Sequence, residues 1–77
     1  MRIFIRPVFD NPDSGVLPIG YALCARAGEL LSDGDILDHF DVDYTGKEIE
    51  AAAMEFHGAT LGEVRWAGPL YTNKQGV

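Results

Sequence analysis

The segment Asp41-Val42-Asp43-Tyr44-Thr45-Gly46 carries the residue types closest to a chemical site in this sequence. Oxygen ligands at positions 1, 3 and 5 and a glycine at position 6 open an EF-hand calcium loop. The pattern then stops: position 8, normally apolar, is Glu48, and position 12, normally a bidentate glutamate, is Ala52. The competing reading is a turn between two helices with Thr45 as N-cap. The two histidines, His39 and His57, lack the paired spacing of a metal site. They read as helix-surface residues, His57 in a last turn where positive charge is favourable.

Nucleophiles fare no better. Cys24 lies between Leu23 and Ala25 with no base nearby in sequence, the setting of a buried, inert thiol. Ser14 and Ser32 are better explained as turn and cap residues. Gly15, Gly20 and Gly28 are too widely spaced for a phosphate loop. Acid–base catalysis needs carboxylates in perturbed environments, and a run of solvated aspartates is the opposite. The sequence therefore predicts no catalytic residues, no metal and no cofactor.

The elements that must position these residues follow from pattern. Residues 2–9 predict a strand, with Ile3 and Ile5 on one face, Arg2, Phe4 and Arg6 on the other, and Pro7 at an edge or a strand end. A loop follows over Asp10–Gly15. Ile19–Ala27 has helical spacing in Ile19, Leu23 and Ala27. Gly20 near its start and a turn at Gly28 favour a strand with a short return. Ser32 with Asp35 resembles a capping box and predicts a short helix burying Ile36, Leu37 and Phe40. Thr45 with Glu48 is a second capping box. It predicts a helix to His57, ended by Gly58, with Ile49, Ala52, Ala53 and Phe56 as its apolar stripe. Gly62–Tyr71 predicts a last strand with a bulge or break at Gly68-Pro69, followed by a polar tail from Thr72. The expected fold is one α+β domain over residues 1–77. It has a small, mostly antiparallel sheet of about three strands with two helices on one face, in the order β-β-α-α-β.

Composition agrees with a single domain. The chain has 77 residues, 47% of them hydrophobic, too apolar for a disordered tail. No apolar run approaches the ~20 residues that span a bilayer. The stretch Met1–Pro7 is expected to be too short, and too soon interrupted by Arg6, for a secretory signal. The single cysteine allows no internal disulfide, which points to a reducing cytoplasm, or to support from a partner or a homodimer.

The net charge is −6 and it is concentrated. From Glu29 to Glu55 nine acids face one base, Lys47, a local charge of −8. Eight of them are the predicted partner-binding residues: Asp33, Asp35, Asp38, Asp41, Asp43, Glu48, Glu50 and Glu55. The bland reading is a solvated face. The sharper one is a docking surface for a basic protein, because mutual repulsion costs stability in a domain with little to spare. Direct nucleic-acid binding is disfavoured by the charge. The helix–turn–helix outline of Asp35–Phe56 would carry acids toward phosphates. The alternative that remains is a basic and aromatic sheet face using Arg2, Phe4, Arg6, Arg65, Trp66 and Tyr71. A calcium module centred on Asp41 and Asp43 is a third reading.

In size, acidity and single-domain make-up the whole chain resembles the anti-CRISPR proteins of phages, although no motif carries over. The resemblance implies a non-catalytic inhibitor that binds a Cas protein or surveillance complex inside a bacterial host. Some such inhibitors mimic DNA with an acidic surface.

Overall fold

The computed structural model describes residues 2–12 and 17–72. Residues 13–15 of the predicted loop and 73–77 of the predicted tail lie outside this set. The elements run β1 (Ile3–Phe9), β2 (Gly20–Cys24), β3 (Ile36–Asp41), α1 (Gly46–His57), β4 (Val64–Trp66) and β5 (Leu70–Tyr71). Single 3-10 turns precede β3 (Asp33–Asp35) and β4 (Leu61–Glu63). The sheet has five strands in the order β3-β2-β1-β4, with β5 also paired to β1. β1–β2 and β2–β3 are antiparallel, and β4 and β5 run parallel to β1. The expected two helices over a mostly antiparallel three-stranded sheet are thus corrected to one helix and a five-stranded mixed sheet.

The error lies at residues 33–41. Ser32 and Asp35 do form a capping box, but it closes only one 3-10 turn. The chain then extends as β3, pairing Tyr21 with Phe40 and Ala22 with His39. Ile36-Leu37-Asp38-His39-Phe40-Asp41 offers only six residues before the next turn, too few for a stable helix. Its alternation instead gives β2 a partner. A β-bulge between Leu23 and Cys24 accommodates the start of the pairing.

Pro7 sits in the middle of the central strand rather than at its end. Its place is explained by the break between β4 and β5. The carbonyls of Ile5 and Phe9 accept hydrogen bonds from Ala67 N–H (3.0 Å) and Thr72 N–H (3.0 Å). Pro7 lies between them on that edge, where the chain leaves the sheet at Gly68-Pro69 and no donor is required.

α1 crosses from β3 to β4 and packs on β1. Thr45 caps it: its Oγ1 accepts from Glu48 N–H at 3.2 Å, and Glu48 Oε1 accepts from Thr45 N–H at 2.9 Å. Gly58, at φ 70°, ends it in the left-handed region. The core is Ile3, Ile5, Leu23, Ile49, Ala53, Ala59 and Val64, flanked by Tyr21, Leu37, Phe40 and Met54. Phe56 is not part of it and is 70% exposed. The rest of the expected stripe is kept, and Phe56 alone falls outside it. Ile49, Ala52 and Ala53, three of the four expected, are the buried residues of α1, and the half-buried Gly46, Glu50 and His57 run beside them as a second row. Trp66 and Asp38 hold that row, as described below. Among the described residues no helix is long and apolar enough to cross a membrane.

Candidate interaction surface

The sheet face away from α1 is organised by Arg6, which is only 5% exposed. Its Nε donates to Gly68 O (2.9 Å), Nη1 to Arg26 O (3.1 Å) and to Gly28 O, and Nη2 reaches Pro69 O at 3.5 Å. One guanidinium therefore ties the loop after β2 to the link between β4 and β5. Asp35 closes the same loop from its far end. It accepts from Leu31 N–H (2.6 Å) and Ser32 N–H (3.1 Å) and pairs with Arg26 at 3.3 Å. These hydrogen bonds, led by that from Leu31, hold its carboxyl below the ordinary value. Three shallow clefts of about 210, 160 and 240 Å³ adjoin here, sharing Leu30, Leu70 and Tyr71 or Val8, His39 and Thr72. Cys24 lies under this face, and burial pushes its thiol up, away from the reactive thiolate.

Arg6 is thus taken out of the basic and aromatic set. Its hydrogens are spent on main-chain carbonyls. Strand alternation places Arg65 and Trp66 on opposite faces of β4.

The eight predicted acids divide into two groups. Four have structural duties. Asp35 closes its loop and Glu48 caps α1. Asp38 lies 3.1 Å from His57 Nε2 and accepts from His39 N–H at 2.8 Å. Burial raises the Asp38 carboxyl, but those hydrogen bonds outweigh it and the net shift is downward. Glu50 accepts the indole N–H of Trp66 at 3.2 Å. The other four, Asp33, Asp41, Asp43 and Glu55, are exposed, and their side chains have no hydrogen bond or ion pair to another described residue.

The eight do not share one face. Asp33 precedes β3 and Asp41 ends it, and a six-residue strand spans about 20 Å. What the fold does gather is Asp41, Asp43, Glu48 and Glu50, at the corner where β3 turns into α1. Tyr44 N–H closes that turn onto Asp41 O at 3.2 Å. In place of a calcium loop, Thr45 and Glu48 are committed to the helix cap. Among the described residues no three His, Cys, Asp or Glu side chains are grouped to hold a metal. The His57–Asp38 pair resembles half of a hydrolytic triad, yet among the described residues the imidazole makes no second hydrogen bond.

Beside the acidic corner runs an aromatic strip that the sequence reading overlooked. Tyr44 meets Phe40 edge-on at 5.3 Å, Phe40 is paired across strands with Tyr21, and Tyr21 meets Trp66 at 6.0 Å and 90°. Tyr44 and Trp66, at its two ends, are 47% and 50% exposed. The available signal was alternation: Tyr21 and Phe40 are on strand positions that face α1, and Tyr44 follows one turn later. Exposed aromatics beside carboxylates have the chemistry to meet cations and protein surfaces. No family model, curated protein or solved structure matches this chain.

Proposed function

We propose that this chain is a non-catalytic docking protein whose acidic β3–α1 corner occupies the basic surface of a nucleic-acid-binding partner. In this reading it keeps the partner from its nucleic acid, in the manner of the phage anti-CRISPR proteins it resembles, and a Cas protein is the partner that resemblance implies. The observation that carries the reading is the unpaired, exposed Asp41 and Asp43 beside half-exposed Tyr44 and Trp66. Carboxylates with no partner supply steering and charge complementarity. Aromatics supply the contact area that dominates binding energy at interface centres.

The test is capture of partners from a bacterial lysate on the immobilised protein, washed at rising salt, followed by competition with labelled duplex DNA. The expected result is a DNA-binding protein that elutes as salt rises and whose DNA is displaced stoichiometrically. A captured partner that holds DNA and this protein together would contradict the reading.

A further inference from the structure

Trp66 is held as a rigid platform. Tyr21 braces it edge-on, and its indole N–H is fixed on Glu50 Oε2 at 3.2 Å. It also lies against the first residue of α1, where a Cβ on Gly46 would come within 2.9 Å of the indole Cζ2. Only glycine permits so close an approach. The ring nevertheless remains 50% exposed. An apolar ring pinned on its inner side and open on its outer side is preorganised for a ligand.

The charge around it is negative. Glu50 uses one carboxylate oxygen for the indole, and no described residue bonds the other. Glu48, Asp43 and Asp41 lie along the same corner. Lys47 is the only base between Glu29 and Glu55, and Arg65 projects from the opposite sheet face.

Building on the docking reading, we propose that Trp66 and Glu50 form the seat for one arginine side chain of the basic partner. A planar guanidinium stacks on the indole while its N–H groups reach Glu50 Oε1. A lysine ammonium is a compact, strongly hydrated point charge and does not do both.

Trp66 is the sole tryptophan, so its fluorescence reports this seat directly. The experiment titrates the protein with hexa-arginine and hexa-lysine peptides, which carry the same side-chain charge. The expected result is a saturable change in Trp66 emission with hexa-arginine, and binding about two- to fivefold weaker with hexa-lysine. Glu50→Gln keeps an acceptor for the indole N–H but loses the charge. It should leave Tm unchanged and remove the preference for arginine. Equal binding of both peptides with no effect of Glu50→Gln overturns the arginine seat and leaves the acidic docking surface standing. If neither peptide binds at low salt, both readings are overturned.

Discussion

Arg6 and the carboxylates of the β3–α1 corner are charges on the same small domain, but their surroundings are opposite. Arg6 is buried, with its hydrogens turned onto carbonyls of residues 26, 28, 68 and 69. Asp41 and Asp43 are exposed, and no described residue answers them. A charge whose bonding capacity is spent inside the molecule is structural. A charge left facing solvent beside exposed aromatic rings remains free for a partner. The sign of a residue says nothing about which it is. Arg2 stands just before β1 and Arg6 within it, four residues apart, yet Arg2 is exposed and Arg6 is buried.

The comparison is broken most severely at Arg6. Arg6→Met removes the guanidinium and strands four acceptors, each costing about 1–3 kcal/mol if it stays dry. Partial access to water should bring the total to about 3–5 kcal/mol, a large part of the stability of a domain this size. Urea unfolding measures it. A loss under about 1 kcal/mol would mean that the loops over this face hold without the clamp. Charge reversal at Arg6 is accordingly no neutral probe of binding, whereas reversal at Arg2 is.

A smaller effect sharpens the distinction within the acids. Asp35 and Asp38 have carboxyls held below their ordinary value of 3.8 by native hydrogen bonds. Groups with lowered native pKa stabilise the fold at pH above the unfolded value, and that contribution fades as pH falls through the native one. Tm should therefore fall below about pH 4, and the fall should be shallower in Asp35→Asn and Asp38→Asn. An identical acid profile in both variants would place these residues with the solvent-facing acids instead.

Much of the frame was legible in the sequence. β1 was visible from the Ile3/Ile5 alternation, the cap of α1 from Thr45 and Glu48, and its end from Gly58. The break at Gly68-Pro69 was visible too, though not that it explains Pro7. β3 was hidden because a genuine capping box precedes it, and a cap predicts a first turn, not a second. In α1 the stripe Ile49, Ala52 and Ala53 was legible, and the exposure of Phe56 was not. Also hidden were the contacts of Trp66 with Gly46 and Glu50, and of Asp38 with His57, on the neighbouring row. Both are tertiary contacts between distant segments. The aromatic strip was obscured for the same reason: with Phe40 assigned to a helix, its alignment with Tyr21 across two strands could not be seen.

The exposed acids are where the account is most directly tested. The measurement is the association rate of Asp41→Asn/Asp43→Asn with the captured partner, over a salt series beside the parent protein. Neither side chain is tied to another described residue, so urea stability should change by no more than about 0.5 kcal/mol. The account predicts slower association at low salt and a flatter salt dependence, because steering by exposed charge is screened beyond about 8 Å at physiological ionic strength. An unchanged rate with unchanged salt dependence would contradict it and reduce the corner to a solvated surface.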